Sequence, residues 1–104
     1  MAYAVSLTRR AEVDLDLVFV AIDAENSEAA LKWYFGLREA ILSLESLPNR
    51  CPITPESRFH RHLLYGRRAD VYRVIFQVSE EAREVAIVHI RNGAQGPFTG
   101  ADVN

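Results

Sequence analysis

The stretch Val71–Gly93, VYRVIFQVSEEAREVAIVHIRNG, decides how the chain is read. Two runs rich in β-branched and aromatic residues, Val71–Val78 and Val85–Arg91, flank the polar turn SEEARE, a pattern that predicts a β-hairpin. Strand side chains alternate between faces. In the first run Tyr72, Val74, Phe76 and Val78 share one face, leaving Val71, Arg73, Ile75 and Gln77 on the other. In the second, Ala86, Val88 and Ile90 oppose Val85, Ile87, His89 and Arg91. With the aromatic set and the Ala86–Val88–Ile90 set turned to the core, Arg73, His89 and Arg91 emerge together on an open face. A one-residue slip would split them. Val71, Ile75, Val85 and Ile87 would make that face more apolar than one given wholly to solvent. It therefore predicts a cover: a partner chain, the chain's own tail, or a ligand. The alternative role for the two arginines is simple pairing with nearby carboxylates.

Upstream of the hairpin, Tyr3, Val5 and Leu7 alternate as a short strand. Thr8 can cap a helix carrying Ala11, Leu15, Val18, Phe19 and Ile22 at helical spacing. Glu12, Asp14 and Asp16 suit the positive end of that helix's dipole. After a break at Asp23–Asn26, Ser27 caps a second helix predicted over Glu28–Leu47, with Ala30, Tyr34, Leu37, Ile41 and Leu44 in one apolar row. Pro48 stops it. The short connection predicts an antiparallel helical hairpin. Residues 48–60 hold three prolines and read as a loop. His62–Gly66 reads as a strand, and residues 95–104 as a flexible tail. The order β-α-α-β-β-β predicts an α+β fold over residues 1–94, an antiparallel sheet packed on the helical hairpin.

At 104 residues, 49% of them hydrophobic, the chain can build one domain with a modest core. No run approaches the ~20 apolar residues of a membrane span, and the N-terminus lacks a signal-peptide pattern, so a cytoplasmic location is expected. Cys51 is the only cysteine, which excludes an intrachain disulfide or cysteine zinc cluster. It reads as a buried small residue. His60 and His62 lack a third ligand at useful spacing, so neither metal nor cofactor is expected. Net charge is −2, so no global basic field announces nucleic-acid binding. Charge is nevertheless segregated. Residues 1–47 carry eight acidic groups against four basic, whereas residues 50–73 gather Arg50, Arg58, Arg61, Arg67, Arg68 and Arg73 with His60 and His62. Arginine outnumbers lysine eleven to one, and its planar fork suits phosphate or carboxylate.

Several stretches in this order and spacing carry a family resemblance. They are YAVSLTRRAEVDLDLVFVAI, EAALKWYFGLREAILSLESLPNRC, Pro55–Glu56, RHLLYGRRADVYRVIF and VAIVHIRNG. Over about residues 3–94 the chain resembles the RelE/ParE superfamily, the toxins of bacterial type II toxin–antitoxin modules. The resemblance implies growth arrest by mRNA cleavage on the ribosome or by inhibition of DNA gyrase. It also implies neutralisation by a cognate antitoxin and assembly into higher-order complexes. For a ribonuclease it would assign Arg73 and Arg91 to the phosphate and Glu56 to the base. The acid in such relatives is a tail Tyr or His, and this tail has neither; Asn92 stands where related sequences commonly carry histidine. His89, sharing a strand face with Arg91, is the substitute candidate, imidazole being suited to proton transfer near neutrality. Arg61, Arg67, Arg68, His60 and His62 are candidates for holding nucleic acid or antitoxin. A second expectation is a repurposed family member that only binds a partner.

Overall fold

The computed structural model describes residues 2–67 and 70–104. Strand β1 (Ala4–Leu7) leads through Thr8 into helix α1 (Arg9–Ala21), and Ser27 opens helix α2 (Glu28–Leu42). Both caps act as their sequence predicts: the Thr8 hydroxyl accepts from the Ala11 amide and that of Ser27 from the Ala30 amide, each at 3.2 Å. Strands β2 (Arg61–Tyr65), β3 (Tyr72–Ser79) and β4 (Glu84–Asn92) follow, then a four-residue helix, α3 (Gly100–Val103). No helix among the described residues is long and apolar enough to cross a membrane.

The sheet order is β1-β4-β3-β2. β2, β3 and β4 are antiparallel as expected, but β1 joins β4 in parallel, so the sheet is mixed. The second helix also ends earlier than predicted. After Leu42 the chain tightens into a 3₁₀ turn, Ser43–Glu45, and Leu47 takes a left-handed φ of 50° at 76% exposure. The tighter turn keeps Leu44 fully buried while directing the Glu45 carbonyl to the Tyr3 amide, 2.8 Å away. Arg50 Nη1 closes the helix end by donating to the Ser46 and Leu47 carbonyls at 2.6 and 3.1 Å.

The core lies between one sheet face and the helices. Val74, Phe76, Val85, Ile87 and Ile90 meet Ala11, Val18, Leu37, Ile41 and Leu44, all buried. This corrects the predicted faces of the hairpin's second strand. Ile75 pairs with His89, but Phe76 pairs with Ile87, which makes Val88 the extra residue of a β-bulge. The bulge turns Val85 and Ile87 inward. Val88 goes to the opposite face with Ile75 and Phe98. Beyond the bulge the predicted alternation holds.

The open face is covered by the chain itself. The tail, read from sequence as loose, folds back across the sheet and buries Phe98 to 6% exposure, with Val103 packed beside it.

Candidate functional site

Arg73 and Arg91 sit directly opposite each other on β3 and β4, so their side chains share a face. The expected common projection is present, but the expected open groove is not. Each arginine is 9% exposed and each is met by a carboxylate of the chain.

Arg73 is gripped by Glu56 in a two-pronged pair, Nη1 to Oε2 at 2.5 Å and Nη2 to Oε1 at 2.8 Å. Glu56 arrives from the loop before β2. There the Thr54 hydroxyl donates to the Ser57 carbonyl at 2.8 Å and accepts its amide at 3.1 Å, fixing the turn that aims the carboxylate. The Phe98 amide adds a third donor to Glu56 at 3.1 Å. Chiefly because Arg73 donates to it, Glu56 has its pKa pulled from 4.5 to about 2 despite burial. A carboxylate so held is a weak proton acceptor, which is unfavourable to the role of general base.

The histidines beside it are structural in their contacts. His62 Nδ1 accepts from Arg73 Nε at 3.1 Å. His60 Nδ1 lies 2.8 Å from the Ser57 hydroxyl, and its ring meets the edge of Phe98 at 5.7 Å. Burial lowers the pKa of both imidazoles. Arg61 is turned away from this face, Nη1 donating to the Cys51 carbonyl at 2.6 Å. Arg67 is exposed, and Arg68 lies outside the described residues.

The second half of the site is built on α1. β1 ends its pairing at Leu7 opposite Ile87, and from there α1 takes the strand's place along the β4 edge. The Thr8 amide donates to the Ile87 carbonyl at 2.9 Å. Asp14 then accepts the Ile90 amide at 3.1 Å and contacts His89 Nδ1 at 2.6 Å through the same oxygen, Oδ2. The two contacts hold the proton of His89 on Nδ1 and turn Nε2 toward Arg91 Nη1, 3.4 Å away. Arg91 in turn donates to Asp102 at 3.1 Å and to the Gln95 carbonyl at 3.2 Å. The Arg91 Nε atom is buried with no hydrogen-bond partner among the described residues. Arg10 completes the group, bonding Asp14 at 3.1 Å and reaching Asp102 at 3.5 Å. Arg10, Asp14, His89, Arg91 and Gln95 line a cavity of about 360 Å³ that Tyr72 and Leu17 also border. Asp102 has its pKa lowered, chiefly by the Thr99 amide and further by the charge of the Arg91 guanidinium.

The fold thus brings Arg73, Glu56, His60 and His62 into one cluster and His89 with Arg91 into its neighbour. Asp14, Asp102, Arg10 and Phe98 complete the site without having been singled out by sequence. Asp14 reads there as a dipole-matching acid, and Asp102 sits in a stretch with no periodic pattern. The described residues contain no group of three or more His, Cys, Asp or Glu side chains that could hold a metal ion.

Comparisons with known proteins agree on the frame. Residues 5–97 match the family described as the ParE toxin of the type II toxin–antitoxin system, parDE. A structure described as the chromosomal ParDE TA system from P. aeruginosa superimposes with a TM-score of 0.69 at 25% identity, covering 88% of this chain and 96% of that one. A mutant of E. coli toxin RelE in the free state superimposes with a TM-score of 0.61 at 15% identity, over 92% and 88% of the two chains, a likeness of fold alone. No curated protein sequence matches.

Proposed function

The chain belongs to the ParE toxin family of type II toxin–antitoxin systems, and on that premise we propose that it arrests growth by binding its target, DNA gyrase, rather than by cleaving RNA. The observation that carries this reading is the state of the arginine face. A phosphoryl-transfer site needs free donors where negative charge develops and a base whose pKa lies near working pH. Here the donors of Arg73 are engaged by Glu56, and Glu56 is held at about 2. A binding toxin has no such requirement. Its rigid face needs only to present shape and charge.

A cognate antitoxin neutralises the toxin in this reading. Leu17 and Val20 on α1, Phe35 and Leu42 on α2, and Leu64 on β2 are each about half exposed or more, giving an amphipathic partner apolar surface to cover.

RNA cleavage is the second reading. It is favoured by the Asp14–His89 pair, which turns an imidazole nitrogen toward Arg91.

Regulated expression of the chain in a bacterial host tests both. Growth arrest accompanied by loss of gyrase supercoiling in vitro, with translated mRNA intact by primer extension, supports the binding toxin. New mRNA 5′ ends with supercoiling unaffected would replace it with the nuclease. Normal growth at confirmed soluble expression would refute toxicity itself.

A further inference from the structure

The outward face of α2 has the layout of one half of an antiparallel helix pair. Leu31, Phe35, Arg38 and Leu42 recur at spacings of four, three and four residues, the d-a-d-a positions of a two-stranded seam. They lie off the row that the same helix buries in the core, Tyr34, Leu37 and Ile41. Phe35 is 49% exposed and Leu42 59%, and a surface groove lined by Glu28, Ala29, Leu31, Lys32 and Phe35 adjoins them. Lys32 and Glu39 both fall at e positions, on one flank of the seam, and both are exposed. Neither has an ion-pair partner among the described residues. The opposite flank, the g positions, is taken by Tyr34 and Ile41, which are buried in the chain's own core. Direction decides whether the charges help a second helix. A parallel copy would set Phe35 against Phe35 and Arg38 against Arg38, with like charges in the seam. An antiparallel copy sets Leu31 against the partner's Leu42 and Phe35 against the partner's Arg38, a cation placed on a ring. It also brings the two e flanks together, so that Lys32 meets the partner's Glu39, twice by symmetry.

We propose that the outward face of α2 is a docking surface for a second copy of this chain, joined antiparallel as a two-fold symmetric dimer. The face is self-complementary: each apolar or charged position finds its match in the same helix reversed. Fifteen residues give α2 a length of about 22 Å. So short a seam buries less than the ~800 Å² per partner of a standard stable interface. The dimer is therefore transient, with a dissociation constant on the order of 50 µM. Phe35 and Leu42 also belong to the apolar surface offered to an antitoxin, so antitoxin and second copy exclude each other at this face. The inference goes beyond the toxin reading and does not depend on which target is inhibited, because association is read on the purified chain.

The test is sedimentation equilibrium on the purified full-length chain, over about 5–300 µM to bracket that constant. The wild type is expected to pass from monomer to dimer across the range. Lys32→Glu and Glu39→Lys each place two like-charge pairs in the symmetric dimer and should weaken it about ten-fold. Mixing these two variants should restore association, because each chain then meets the opposite sign on its partner. Phe35→Asp should leave a monomer at every concentration. The substituted positions are all exposed, so the variants should keep the wild-type melting temperature within a few degrees, which circular dichroism checks. A wild type that stays monomeric throughout, or a dimer indifferent to both charge variants, overturns the proposal. A mixture that associates no better than either variant alone overturns it too, since the contact then lies elsewhere. If the wild type is monomeric and Phe35→Asp abolishes growth rescue by the co-expressed antitoxin, the face belongs to the antitoxin instead. Normal growth on expression, which refutes toxicity, leaves the sedimentation result standing.

Discussion

The Glu56–Arg73 pair is a buried, two-pronged contact, and replacing Glu56 by Gln measures it. The native carboxylate titrates at about 2 instead of 4.5. At ~1.36 kcal/mol per tenfold change this is at most about 3 kcal/mol of stability, and partial solvent access reduces it to about 1–2 kcal/mol. The substitution also strands a guanidinium that is only 9% exposed, and removing one partner of a buried pair costs more than the pair's net value. A total loss of about 2–4 kcal/mol is therefore expected, or roughly 10–20 °C in Tm for a domain of this size. Urea unfolding at pH 7 reads it. A double-mutant cycle with Arg73→Met separates the mutual term, because the double variant removes the stranded charge and should recover part of the loss. The pH dependence has a definite sign. A folded pKa below the unfolded one gives stability that is complete above about 4.5 and drains away as pH falls toward 2. The wild-type curve should fall more steeply than that of Glu56→Gln in that window. A loss below about 0.5 kcal/mol, additive behaviour in the cycle, or parallel pH curves would refute the reasoning.

Phe98→Ala should cost about 2–3 kcal/mol, at the lower end of aromatic truncations because the tail can collapse into the gap, and amide exchange should accelerate in residues 97–103 before the rest of the chain. His60 and His62 are held neutral by burial, with folded pKa values below 6.5. Stability should therefore decline as pH falls below about 6.5, and a His62→Gln variant should lose part of that slope; an unchanged slope in calorimetric melts would exclude the titration of His62 as a cause. Gly66 has φ +99° and the site of a Cβ is filled by the Asp70 carbonyl, so Gly66→Ala should cost more than ~1 kcal/mol by urea unfolding.

Much of this arrangement was legible in the residues. The caps at Thr8 and Ser27, the two central strands and the shared projection of Arg73 and Arg91 follow from local spacing, which is where sequence speaks most directly. The bulge was not legible. Val88 differs in no chemical respect from its neighbours, and only the pairing with β3 shows that it is the extra residue. Without it, Val85 and Ile87 were placed on the wrong face. The parallel partnership of β1 with β4 was hidden for a similar reason, since an alternating tetrapeptide says nothing about its neighbour. The end of α2 was overestimated because Leu44 continues the apolar row although the backbone has already tightened. Asp14 and Asp102 escaped notice because a carboxylate becomes part of a site only when distant cations arrive beside it, and His89 is 75 residues from Asp14 in sequence.

The parallel pairing of β1 with β4 has a consequence for synthesis. β1 has as its partner Glu84–Ile87, about 80 residues further along the chain. Until those residues emerge, Val5 and Leu7 have no ladder to join, and Asp14 has neither His89 nor the Ile90 amide to bind. The arginine face therefore stays unassembled until β4 has been made. A product dangerous to its maker would on this account acquire its working shape only once β4 has joined β1.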